Sequence, residues 1–249
     1  MPEGLSLALQ VPGIAWVPIA AFISGVVYGF AGFGAALVFV PLAVAFVSPL
    51  LIVPAFQLSA LMSLFTLFPK AARRADWRTS SILVGFSILS APFGVYMLLT
   101  FSENFLQWCV SIIVIVTLTA LLFGWRYQTS PSNVTTASIG LAAGAMGGST
   151  GLNGPIVILF RLGGQDSAET TRANMLVFLT LNSLATIPIM VWQGAMTVEA
   201  FWIGLVLLPS YGIGNLIGQA LFKPAQEGIY RNVAYALIGL SALIGLPIW

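Results

Sequence analysis

The sequence predicts an all-α integral membrane protein, an inverted-repeat bundle with two broken or re-entrant helix pairs. Three observations carry that prediction. The 249 residues are 59% hydrophobic and only 6% charged, with a mean hydropathy of +1.00. Soluble domains carry about a quarter of their residues as charges, so this composition cannot furnish a water-facing surface. The charges fall where apolar helices of about 20 residues would end, with none between Glu3 and Lys70, Arg78 and Glu103, or Arg172 and Glu199. Finally, Gly-rich turns at residues 29–34 and 147–154 each precede an apolar piece too short to span comfortably. No stretch of soluble-domain size remains, which excludes an ectodomain receptor, a pump with its own nucleotide-binding domain and a DNA-binding module.

Taken in order, the charge-free apolar runs give ten helical pieces: residues 14–30, 35–47, 50–68, 80–100, 104–125, 136–146, 155–162, 172–192, 198–221 and 230–249. No Lys or Arg precedes Lys70, so the first piece lacks the basic flank of a cleaved signal and reads as a retained helix. The second and seventh pieces are the short ones. Irregular backbone at membrane depth survives only where protein or a wet cavity satisfies its polar groups, so both glycine turns are expected inside the fold. Cys109, the lone cysteine, has no neighbour to activate it and reads as packing.

The two turns also suggest a repeat, with residues 1–130 as one membrane repeat and 131–249 as the second. Gly25, Gly29 and Gly32 recur at Gly140, Gly144 and Gly147, each 115 residues later, and Pro41 and Pro155 close the two motifs. Pro92 and Pro209 hold comparable places in the fourth and ninth pieces. If each broken pair returns to the side it entered from, all nine Lys and Arg fall on one side, opposite Glu3, Glu103 and Glu199. The positive-inside rule then makes the basic side cytoplasmic, with both termini external in a multi-pass cell (inner) membrane protein. Trp77 and Trp125 suit the inner interface, and Trp16, Trp108, Trp192, Trp202 and Trp249 the outer one. Five pieces per half is odd, which inverts one half relative to the other.

Inverted repeats with interrupted helices are the architecture of secondary transporters, whose sites lie where the halves meet. The second piece starts at Gly34, Ala35 and Ala36 and the seventh at Asn153, Gly154 and Pro155. Free N–H groups and positive dipole ends at such starts favour an anion. The candidate site therefore comprises Gly32, Gly34, Ala35, Ser149, Thr150, Gly151, Asn153 and Gly154, joined by Gln57, Arg172 and Asn174. Gln57 and Arg172 are again 115 residues apart. Gly25, Gly29, Gly140 and Gly144 are expected to pack helices closely, and Ser59, Ser63, Asn182 and Ser183 to bond across helices. Arg161 and Arg172 could equally anchor the cytoplasmic face.

What is missing narrows the chemistry. The chain has no His, and no Asp or Glu sits well inside an apolar piece, so a proton relay has no candidate. No ligand set for a metal and no paired acids, HExxH or Ser–His arrangement occurs, so neither a cofactor nor an enzyme is expected. The net charge of +2 implies no nucleic-acid partner; a lipid bilayer and a small anion are the expected partners.

At residues 25–41, at Asp76-Trp77-Arg78 and at residues 147–160, the chain resembles the TauE/SafE family of sulfite exporter-like membrane proteins, with Arg172-Ala173-Asn174 opening the later long helix where the family has an R-A-T-like step. The resemblance implies export of sulfite or of an organosulfonate such as sulfoacetate. Ala35, Ala36 and Asn174 depart from the family pattern beside the candidate site. Cation-coupled uptake of a related anion is the alternative within transport, and a non-transporting scaffold subunit the alternative outside it. A scaffold, however, gains nothing from unpaired backbone inside a membrane.

Overall fold

The computed structural model describes residues 3–124, 132–161, 168–222 and 227–248. Trp125, Arg126, Lys223, Trp249, the side chain of Arg161 and the 130/131 boundary lie outside the described residues. Among the described residues every regular element is helical. The chain runs through α1 (Glu3–Gln10), a 3-10 turn (Ile14–Trp16), α2 (Val17–Ala31), α3 (Ala35–Val44), α4 (Pro49–Ala60), α5 (Ser63–Thr66) and α6 (Phe68–Ala71). It continues through α7 (Trp77–Thr100), α8 (Glu103–Leu122), α9 (Asn133–Thr150), α10 (Gly154–Arg161), α11 (Ala168–Trp192), α12 (Val198–Leu221) and α13 (Glu227–Ile244).

Local chemistry sets five of the helix starts. Asp76 accepts from the N–H groups of Arg78 and Thr79 to open α7. Ser48, Ser102, Ser132 and Thr197 accept likewise at the starts of α4, α8, α9 and α12. Each such cap contributes roughly 1 kcal/mol. Among the described residues, six segments are long and apolar enough to cross a membrane: Ile14–Ala31, Pro49–Thr66, Trp77–Thr100, Glu103–Leu122, Glu169–Trp192 and Val198–Leu221. The short pieces stay short. α3 has 10 residues and α10 has 8, about 15 Å and 12 Å at 1.5 Å per residue, against a hydrocarbon core of about 30 Å.

Two elements differ from the sequence expectation. The third piece, expected as one helix, breaks into α4, α5 and α6, because the hydroxyls of Ser59, Ser63 and Thr66 bond back to carbonyls three or four residues earlier and Pro69 opens a new turn. Such back-bonding competes with the helical ladder and bends it. α1, absent from the ten pieces, packs against α12, where Gly4 lies against Trp202 and Val198.

Two glycine-rich crossings organise the bundle. α2 lies along α12 and α9 along α7; α4 also packs on α12, and α11 on α7. α3 packs against α13, α10 against α8, and α4 meets α11 at the centre. At Gly25 an added Cβ would sit 2.5 Å from the Tyr211 carbonyl oxygen, and at Gly148 one would sit 2.7 Å from that of Ala91. Gly144 faces Ser87 and Ser90 as Gly25 faces Tyr211 and Gly214, and Gly148 faces Gly94 as Gly29 faces Gly218. α2 ends on a left-handed Gly32 (φ 78°) and α9 on a left-handed Gly151 (φ 74°). Gly140, Gly144 and Gly148 all approach α7 closely, as Gly25 and Gly29 approach α12, while Gly147 sits under the side chain of Asn153 and Gly151 caps α9.

Those backbone-to-backbone approaches tolerate no side chain. Gly148→Ala should cost about 1–3 kcal/mol through overpacking. Gly85→Ala, whose Cβ would meet nothing within 4 Å, should be neutral or stabilising by up to about 1 kcal/mol through helix propensity. Thermal unfolding in detergent compares the two, and equal melting temperatures would refute the close-packing account.

Candidate functional site

α3 is buried almost all round, with Val38, Phe39 and Val40 inaccessible to solvent, and this enclosure fixes where its start can face. Its N-cap, Gly34, adopts φ 87° and carries no side-chain cap. The first turn of any helix leaves its N–H groups without intrahelical acceptors. Here Gly34, Ala35, Ala36 and Leu37 line a narrow cavity. Asn153, Gly154 and Pro155, at the start of α10, line the same cavity. The two short helices therefore direct their positive ends at one space.

Polar side chains from α4 and α11 complete it. Gln57 is 1% exposed, and its Oε1 accepts from Ser183 Oγ at 2.7 Å. That bond holds the amide so that its buried Nε2 has no hydrogen-bond partner. Ser63 and Thr180 share a hydrogen bond of 2.8 Å, and Tyr28 bonds to Thr180. Tyr28, Tyr211, Phe33 and Phe56 supply aromatic walls, with the Tyr28 and Tyr211 rings stacked at 6.1 Å and the Phe56 ring edge-on to Tyr211 at 5.9 Å. No described lining residue is charged.

Of the residues expected from sequence, Gly34, Ala35, Gln57, Asn153 and Gly154 meet in this cavity. The others lie elsewhere. The hydroxyls of Ser149 and Thr150 bond to the carbonyls of Ala145 and Met146 within α9. Gly151 is the cap of α9, beside Val40 and Val53. Gly32 caps α2 and is covered by the Arg172 stem. Asn174 accepts the Asp76 N–H at 2.6 Å and so anchors the start of α7. Tyr28 and Tyr211 escaped the sequence reading. Their signal was available, since a tyrosine far from a span's end must find a partner for its hydroxyl.

Arg172 belongs to a second cavity of about 970 Å³ with its mouth, lined also by Lys70, Arg73, Arg74, Glu169 and Phe222. Its guanidinium donates to the Gly29 carbonyl at 2.6 Å and lies 4.7 Å over the Phe222 ring. Gly29 is in the last turn of α2, so the cation complements the negative end of that helix. The shared 115-residue spacing therefore does not bring Gln57 and Arg172 into one cavity. Arg74 pairs with Glu169, both exposed, a contact of little energetic weight. Lys70, Arg73 and Arg172 leave this mouth cationic.

Residues 17–244 match the family described as Sulfite exporter TauE/SafE. No curated protein and no solved structure matches the chain.

Gly154 offers the cleaner test of the uncharged cavity. An added Cβ there would meet only Leu179, at 3.4 Å, so Gly154→Leu should fold normally yet fill the cavity and abolish anion flux in proteoliposomes. Asn153→Ala should weaken anion binding by about 1–3 kcal/mol if its amide bonds a charged oxygen. Full flux and unchanged affinity in these variants would remove the site.

Proposed function

The chain belongs to the sulfite exporter TauE/SafE family of membrane transporters, and from that premise we propose that it carries sulfite or an organosulfonate such as sulfoacetate out of the cell. It is a multi-pass membrane transporter and not an enzyme. The observation that carries the proposal is the convergence of two helix starts, at Gly34 and Gly154, the first without a side-chain cap, on one cavity beside the unpartnered Gln57 Nε2.

The proposed carrier is built from two inverted repeats, residues 1–130 and 131–249, with the site between them. The exchanged packing of α2 on α12 and α9 on α7 supports this, as do the matched left-handed caps at Gly32 and Gly151. Its cytoplasmic mouth is the cationic cavity around Arg172, where anions would concentrate before entering. Both termini face outward in this arrangement. Export needs no coupling ion, because a negative-inside potential drives an anion outward with ~2.3 kcal/mol per charge per 100 mV. The chain has no histidine to shuttle a proton.

Cysteine labelling checks the orientation. In a Cys109→Ser background, a membrane-impermeant thiol reagent on intact cells should label Asn104→Cys and miss Arg78→Cys until the membrane is permeabilised; both positions are exposed. The reverse pattern would overturn the topology.

Efflux itself checks the energetics. From proteoliposomes loaded with sulfite, an inside-negative potential should accelerate release several-fold, and collapsing a pH gradient at constant internal pH and clamped potential should not slow it. Efflux indifferent to potential but dependent on an imposed proton or sodium gradient would replace this reading with coupled transport.

A further inference from the structure

The cavity between α3 and α10 differs from an ordinary oxyanion site in one respect: none of its described lining residues is charged. Resting on the anion-carrier reading above, we infer that the site selects its substrate by charge state and takes small monoanions, hydrogensulfite or a short alkanesulfonate, while rejecting dianions. The electropositive groups present are two helix starts, each equivalent to about +0.5 of a charge. Together they balance about one negative charge. Hydrogen bonds to the oxygens come from the first-turn N–H groups of α3 and from Gln57 Nε2, which is buried, unpartnered and held in place by Ser183.

A second negative charge finds no charged partner among the described lining residues. The desolvation penalty of an ion grows with the square of its charge, so a dianion leaving water pays about four times as much as a monoanion of equal size. The remaining walls are apolar, including Phe33, Phe56, Ile158 and Leu179, and suit a methyl or ethyl group better than a further charged oxygen. The titratable lining groups are the phenols of Tyr28 and Tyr211, which are neutral near physiological pH. Arg172 interacts electrostatically with Tyr28, but its guanidinium is engaged by the Gly29 carbonyl and the Phe222 ring and lines the other cavity with Lys70, Arg73, Arg74 and Glu169.

Sulfite titrates near neutrality, so the site would take only its protonated fraction. Each hydrogensulfite leaving the cell then carries its own proton, with no proton site in the protein. Of the substrates proposed above, sulfite as hydrogensulfite fits this class, whereas sulfoacetate, like sulfate and thiosulfate, carries two charges and is narrowed out by the inference.

Counterflow of labelled methanesulfonate in proteoliposomes, corrected by protein-free liposomes, tests this. Methanesulfonate keeps one charge throughout, so its exchange should stay within about twofold across the neutral range, while competition by a fixed total of sulfite weakens about tenfold per pH unit on the alkaline side. Sulfate and sulfoacetate should compete at least about tenfold less well than methanesulfonate, and Gln57→Leu should weaken methanesulfonate about tenfold or more. If sulfate or alkaline sulfite competes as well as methanesulfonate while Gln57→Leu still impairs exchange, charge selection is wrong and the site stands. If Gln57→Leu and Gly154→Leu leave exchange of every anion unchanged, the site itself is wrong.

Discussion

Ending a helix inside an apolar bundle strands backbone groups where no water can reach them, and the rest of this structure follows from how the two interruptions are settled. A stranded amide or carbonyl in such surroundings costs several kcal/mol. The two C-terminal ends are closed by the protein. Gly32 and Gly151 turn left-handed and return their N–H groups to Tyr28 and Gly147, and Arg172 adds a cation to the Gly29 carbonyl. At the start of α3 no side chain caps the helix, and its first turn opens, together with the start of α10, onto the cavity beside Gln57. Closing the negative ends and opening the positive ones makes the enclosed space electropositive without a formal charge.

The glycine crossings make that arrangement possible. A ligand site built from backbone requires the helices carrying it to be held firmly by others, and α2 and α9 are held by backbone contact with α12 and α7 at Gly25, Gly29, Gly144 and Gly148. Small residues are the usual means of close approach between membrane helices, where burial from water supplies no drive for association. Gly147 serves a further purpose, since its missing side chain leaves room for Asn153 to fold back beneath α9. The glycines that look alike in sequence thus divide into those that bring helices together, those that end them, and one that seats a polar side chain.

The same division explains what the sequence could and could not reveal. Membrane character, the short α3 and α10, and the convergence of Gly34 with Gly154 were legible, because hydropathy, piece length and helix polarity are local properties. Which glycine of the second run ends its helix was not. A pattern repeating every four residues aligns with itself one turn away, and only the αL caps distinguish Gly147 from Gly151. The place of Arg172 was also hidden, because a cation near a helix end suits an anion site and a C-terminal carbonyl equally. Ser149 and Thr150 lay beside the right tip, yet their hydroxyls are spent on their own helix. Which polar side chain stays unpaired depends on its neighbours, as with Gln57 and Ser183, and no spacing rule supplies that.

Separating the cations from the uncharged cavity has a consequence for turnover. A carrier must bind well enough to load and weakly enough to release, and a buried ion pair would hold an anion too firmly to let it go. In the proposed carrier, Lys70, Arg73 and Arg172 raise the local anion concentration at a wet mouth, where charge steers encounter at little cost in release. The inner site offers dipoles and neutral donors, whose hold on one charge is moderate and whose hold on two is poor. Moving Arg172 into that site would raise affinity and strip the C-terminal turn of α2 of its partner at Gly29. In the proposed carrier the guanidinium thus serves fold and flux from the same position, outside the cavity it was expected to line.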